Sequence, residues 1–241
     1  MLRINDEAGA SIAIAAPLPG ERERPCELVT APIETEHVQQ LDALLALARD
    51  LNFKAPREGA THLHFDAAAM TSAHAIANLV NLLWDYGPVL KTLVGTNPNC
   101  LRLGGWPDSL IKAVNQSGFR RLSWPEVQTK LLALELTKYC DFNLVNCLRG
   151  FQYKNTIEVR ILPVWLKAEP IILAAELFAA VLELASSATV IETNGVQKFS
   201  SEHVTTLLDL LPLSATQRQH CLAVSASSGK PPVRGFQAVK Q

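Results

Sequence analysis

Apolar side chains recur along this chain at two spacings, and the switches between them mark out its elements. Residues 10–16 and 26–33 read as strands, the second ended by Pro32, with a charged turn from Pro17 to Pro25 between them. The spacing then becomes helical: Val38, Leu41, Leu44, Leu45, Leu47 and Leu51 share a face, Thr35 stands where a cap belongs, and Gly59 breaks the chain beyond. A second helix begins near Thr71 with Ile76, Leu79, Val80, Leu83 and Trp84 as its buried stripe, and Gly87-Pro88 is expected to kink or stop it. Helices also fit 107–115, 125–138, 169–186 and 202–211, and Trp106-Pro107 and Trp124-Pro125 mark two of the starts, since proline is tolerated in a first turn. A hairpin is expected between them, with residues 142–148 as one strand, 149–155 as the turn and 156–163 as the return. The whole reads as one domain over residues 1–224 followed by a disordered tail over 225–241, which opens on Ser225, Ala226, Ser227, Ser228 and Gly229.

Two strands break the usual rule that one face is simply polar. His62-Leu63-His64-Phe65-Asp66 puts two imidazoles and a carboxylate on one side and Leu63 and Phe65 on the other; Glu158 and Arg160 likewise oppose Ile157, Val159 and Ile161. A buried charge is expensive unless it is paired or holds a metal, so this pattern predicts two half-buried strands facing a solvated cleft that takes a cation or a phosphate. Imidazole and carboxylate bind divalent ions, and arginine matches phosphate oxygens with a planar fork. A plain outer face carrying charges in water is the alternative, as is a structural Glu158–Arg160 ion pair. If Glu158 faces such a cleft, Glu158→Gln should abolish metal-dependent ligand binding there and leave thermal stability nearly unchanged. In the predicted hairpin, Asn143 and Asn146 face opposite ways, so only one can share the Glu158 side.

Composition narrows the field. With 241 residues, 48% of them hydrophobic and 19% charged, the chain can bury a sizeable core. A formal net charge of −1 gives no global attraction to nucleic acid or anionic lipid. The longest apolar stretch, 171–188, is interrupted by Glu176 and Glu183 and reads as core helix, so no membrane partner is expected; the start of the chain makes a poor secretory signal, and a cytoplasmic location is the default. Five cysteines, an odd number with no CxxC pair, predict buried thiols and neither a zinc cage nor a disulfide framework. His37, His74, His203 and His220 fall on helical or polar segments and are expected to face solvent.

Taken in order, Cys26-Glu27-Leu28-Val29-Thr30-Ala31-Pro32-Ile33, His62-x-His64-x-Asp66-Ala67, Tyr139-x-x-x-Asn143-Leu144 and Thr156-Ile157-Glu158-Val159-Arg160 resemble the motifs of the amidoligases, relatives of glutamine synthetase and glutamate-cysteine ligase. The resemblance covers about residues 24–190. It implies an α+β fold, an antiparallel sheet curved into a partial barrel with helices on its outer face. It also implies ATP-dependent joining of a small-molecule or peptide carboxylate to an amine through an acyl phosphate. By similarity, Glu27, His62, His64 and Glu158 would hold Mg2+, Arg160 would contact the transferring phosphate, Arg102 would be a second phosphate or carboxylate contact, Asn143 would touch substrate or nucleotide, and Asp66 would orient ligands from behind.

The resemblance has one departure. Family members usually open on a Gly-x-Glu-x-Glu strand whose acids help hold the metal ions, and Gly20-Glu21-Arg22-Glu23, flanked by prolines, reads instead as a charged turn. The chain is then a truncated frame, a variant holding fewer ions, or one that no longer catalyses, and an open sheet edge is left for a second copy or a partner chain to cover. Two other classes compete: a ligand-binding subunit that keeps the cleft without the chemistry, and a metal-dependent amide hydrolase using His-x-His on a strand, which needs further ligands at successive barrel strands.

Overall fold

The computed structural model describes residues 2–5, 8–17, 26–100, 103–150, 154–193 and 199–228. They divide into two compact units, residues 1–57 with 164–172, and residues 58–163 with 173–241.

The first unit is built on a three-stranded antiparallel meander of β1 (Leu2–Asn5), β2 (Ser11–Pro17) and β3 (Cys26–Thr30), in that spatial order. Two of its strands lie where alternation placed them, while β1 carried no clear pattern of its own. Helix α1 (His37–Asp50) follows, burying Leu44 and Leu45. Thr35 does not cap it: Glu36 occupies the cap position in a left-handed conformation, and the Thr35 carbonyl accepts from the Gln40 side chain at 2.9 Å. Arg49 reaches the Leu166 carbonyl, and Asp42 accepts from the Ala168 backbone, so residues around 164–172 are fastened to this helix.

The second unit holds β4 (Thr61–Asp66), β5 (Phe142–Asn143) and β6 (Thr156–Leu162) in the order β4-β6-β5, both pairings antiparallel. Its spine is α2 (Ala73–Val94), buried almost all round. Ser72 caps α2 by accepting from the Ala75 N–H at 3.1 Å, and Gly95, at φ +65°, ends it in the left-handed region that glycine enters without strain. Gly87-Pro88 does not stop it. The helix continues for six residues past Pro88, which costs the one hydrogen bond that proline cannot donate, while packing of Val89, Leu90, Leu93 and Val94 into the core offsets that loss.

The remaining helices are α3 (Asp108–Val114), α4 (Trp124–Leu132), α5 (Val145–Arg149), α6 (Ala168–Ser186), α7 (Ser201–Leu210) and α8 (Ala215–Ser228). Pro107 and Pro125 do lie at helix starts, and Glu126 accepts from both the backbone and the hydroxyl of Ser123, closing a capping box. Helix α4 stops six residues short of Lys138; its last turn tightens, with Leu134 donating to the Leu131 carbonyl, and Glu135 turns left-handed. Helix α8 carries on to Ser228, past the expected tail boundary at 225, and 229–241 lie outside the described residues.

Three expectations are corrected here. The sheet is not one partial barrel but two separate three-stranded sheets. The strand expected over 142–148 ends at Asn143, because the Asn143 side-chain carbonyl accepts from the Val145 N–H at 2.9 Å and turns the chain into α5. Strand β6 is not half-buried: Ile157 to Leu162 are buried on both faces, Glu158 and Arg160 included. No helix among the described residues is long and apolar enough to cross a membrane.

Candidate functional site

The site is built where β6 runs between its two neighbours. His64 on β4 and Asn143 on β5 are both cross-strand partners of Glu158, so the three side chains form one row across the sheet. Next to it, the pairing slips: Leu63 stands opposite Val159, but Thr61 stands opposite Leu162, so Arg160 and Ile161 together face the single position of His62. This bulge re-aims His62 toward the neighbouring carboxylate.

Four side chains converge on Glu158. Arg160 contacts Oε1 at 2.5 Å, His62 Nδ1 lies 3.2 Å and His64 Nε2 3.7 Å from the same oxygen, and Asn143 donates to Oε2 at 2.7 Å. His62 Nδ1 is also 3.5 Å from an Arg160 nitrogen, but one ring nitrogen cannot donate and accept at once. The shorter contact, to an anion, makes Nδ1 the protonated nitrogen and leaves Nε2 as the lone-pair nitrogen. His64 Nδ1 sits 3.1 Å from the Thr156 hydroxyl.

Burial alone would push the Glu158 carboxyl up. The hydrogen bonds from His62 and Asn143, with the Arg160 charge and His64 behind them, outweigh it and bring the group down to about 2. Partial burial lowers His64, opposed by Glu158 and aided by the nearby cations Lys154 and Arg160. The cluster at neutral pH is therefore an ionised carboxylate locked to an arginine, with a neutral imidazole at its half-exposed border. Arg160 Nε is buried with no hydrogen-bond partner among the described residues, so one charged donor is left unspent.

Of the residues singled out in the sequence, His62, His64, Asn143, Glu158 and Arg160 are brought together. Asn143, Glu158 and Arg160 are buried, while His62 and His64 on β4 are partly exposed, which corrects the expectation of a solvated cleft. Glu27 stands on β3 of the first unit's sheet, exposed and paired with Ala16. Asp66 accepts from the Ala68 N–H at 3.1 Å, an Asx-type turn leading into a short 3-10 turn, and so serves the backbone. Arg102 and the segment Gly20-Glu21-Arg22-Glu23 lie outside the described residues. The described residues contain no group of three or more His, Cys, Asp and Glu side chains placed to hold a metal ion by themselves.

Two neighbours of the cluster were missed. Asp141 precedes β5, and the Arg160 N–H donates to its carbonyl at 2.9 Å; its buried carboxylate takes Lys91 Nζ from α2 at 2.5 Å. Asp141 has a signal in alternation, since it stands two residues before Asn143 and so on the same side of the chain. Lys91 has no local signal.

The buried polar stripe of α2 was missed as well. Asn78, Asn81 and Asp85 recur at helical spacing, and Asn78 donates to the Ala185 and Thr189 carbonyls while accepting from the Ile191 N–H and from Arg120 at 2.8 Å. His74 belongs to this network, 2.9 Å from the Ser187 carbonyl, so it does not face solvent; His203 is half-buried, while His37 and His220 are exposed as expected. All five cysteines are free, but only Cys140, Cys147 and Cys221 are buried. Burial pushes the Cys140 and Cys147 thiols up to about 11 and about 12, which removes them as nucleophiles.

A family model described as "Putative amidoligase enzyme" matches residues 5–182. No curated protein and no solved structure matches the chain.

Proposed function

The chain belongs to the putative amidoligase enzyme family, a ligase-type family, and from that premise we propose that it joins a carboxylate to an amine at the expense of ATP. The observation that supports this reading is the convergence of His62, His64, Asn143 and Arg160 on one carboxylate, Glu158, across three adjacent strands.

Forming an acyl phosphate brings two anions together, so the chain must supply fixed positive charge. Arg160 supplies it, because a guanidinium stays charged at any working pH and this one keeps an unspent N–H donor. Glu158 fixes its direction, and Asn143 fixes Glu158. His62 offers Nε2 as the proton acceptor for an incoming amine.

Magnesium commonly binds through one or two carboxylates plus substrate phosphates and keeps several waters. Glu158 suits the carboxylate role, with His64 beside it. When bound with the nucleotide, the ion would neutralise phosphate charge. Holding it requires Arg160 to release Glu158 Oε1.

That requirement also favours a second reading, a binding subunit whose carboxylate stays locked to its arginine. Calorimetry of the full chain with Mg–ATP, followed by ADP release in the presence of acids and amines, separates the two. The ligase reading expects binding and turnover; binding without turnover leaves the subunit. His64→Ala is the informative variant, since the residue is half-exposed: Mg–ATP affinity should fall by about tenfold or more with little change in melting temperature. Unaltered affinity would remove His64 from the site.

A further inference from the structure

The His64 ring reaches two residues of one neighbouring strand. In the antiparallel register His64 stands opposite Glu158, and Thr156 lies two residues back on the same side of β6, opposite Asp66. The ring therefore lies along β6, with Nδ1 3.1 Å from the Thr156 hydroxyl and Nε2 3.7 Å from Glu158 Oε1. The first contact is a hydrogen bond and the second is too long for one.

Thr156 is well placed to hold a ring still. Its N–H donates to the Lys154 carbonyl at 3.0 Å, and the adjoining Asn155 carbonyl accepts from the Ala67 N–H at 3.1 Å, so the backbone at the start of β6 is tied on both sides. Branching at its Cβ restricts the first side-chain torsion. The hydroxyl makes no other hydrogen bond among the described residues, so it is free either to donate to Nδ1 or to accept from it. A carbonyl or carboxylate in its place could only accept; it would pin the proton on Nδ1 and aim the Nε2 lone pair at an anion. A hydroxyl keeps one ring orientation with the proton on either nitrogen.

We propose that Thr156 is the positioning residue of His64. Without a cation its hydroxyl donates to Nδ1, and Nε2 carries its proton toward the Glu158 carboxylate. With a divalent cation held at Glu158, the hydroxyl accepts from a protonated Nδ1, and Nε2 presents its lone pair. Nε2 gives its proton to water and Nδ1 takes one from water, which the partly exposed ring allows, so the exchange leaves the net charge unchanged. The cation-bound half of this inference rests on the ligase reading; the contact between Thr156 and His64 does not.

The test is ring-nitrogen NMR of His64 in the full chain, beside calorimetry with Mg–ATP. Thr156→Val keeps the branched shape that suits a strand, so its melting temperature should stay near that of the native chain. Without metal, the Nδ1 resonance of the native chain should be that of a hydrogen-bonded lone pair and that of Thr156→Val a bare one; identical resonances would overturn the proposal. Mg–ATP should move the proton of the native ring to Nδ1. Thr156→Val should bind Mg–ATP about tenfold more weakly, and Thr156→Ser, which restores the hydroxyl, should bind it as the native chain does. A loss that Thr156→Ser fails to rescue would also overturn the proposal. Equal affinity of the native and Thr156→Val chains, with His64→Ala weaker, sinks the positioning inference alone. A native chain that binds no Mg–ATP, while its Nδ1 resonance still depends on Thr156, sinks the ligase reading alone.

Discussion

The two sheets of this protein have the same strand number and the same antiparallel pairing, and they differ in what their strands bury. In β2 and β3 the only buried side chain is Ala13, and Val29 is 49% exposed; Glu27 beside it meets water at little cost. In β6 six consecutive residues are buried, and two of them carry full charges. A strand tolerates that only when each charge is held, as Glu158 holds Arg160 and is held by Asn143 and His62. The comparison teaches that equal alternation patterns differ in consequence: the same acid is decoration on an open sheet and a structural commitment in a closed one.

The sharpest way to break this contrast is to remove one partner on each side. Arg160→Met should strand the Glu158 charge in the interior and cost about 3–5 kcal/mol in denaturant unfolding, while Glu27→Ala should stay within about 0.5 kcal/mol. Equal losses would mean that the second sheet is no more committed than the first. For the same reason Glu158→Gln should lower stability measurably, reversing the near-neutral effect expected of a cleft-facing acid.

A smaller effect is expected at Asn78, on α2 of the second unit. Asn78→Ala leaves the Ile191 N–H unpaired and removes one acceptor from Arg120, whose guanidinium keeps the Ile191 and His74 carbonyls, and should cost about 1–3 kcal/mol by thermal unfolding.

Acid titration sharpens the comparison further. The folded-state carboxyl of Glu158 lies below its ordinary value of 4.5, so its contribution to stability is complete above that value and is lost as pH falls toward about 2. Melting temperature in that window should fall more steeply for the native chain than for Glu158→Gln, whereas Glu27→Ala should track the native curve. The smallest change is Ser72→Ala, expected to cost about 1 kcal/mol through the lost cap of α2.

Much of the candidate site was legible from alternation alone, because a period of two dictates which side chains share a face and the ordered motifs named which strands matter. His62, His64, Glu158 and Arg160 meet as that rule requires. What alternation cannot supply is depth: whether the shared face is wet or closed depends on what packs over it. Helix α2 illustrates the other failure. Its Gly87-Pro88 pair is a local stop signal, overridden by burial of the apolar turns on either side. The end of β5 turned on one side-chain hydrogen bond from Asn143, too small a feature to be seen in a run of strand-compatible residues.

The polar stripe along α2 also fixes an order of events. Asn78 and Asn81 find partners at Ala185, Thr189 and Ile191, more than a hundred positions further along the chain. Each amide also has a nearer partner, Asn115 for Asn81 and Arg120 for Asn78, so those contacts can form first during synthesis, and the bonds to residues 185–191 close last, across the longer loop. Amide exchange in α2 should therefore report on the arrival of residues 185–191.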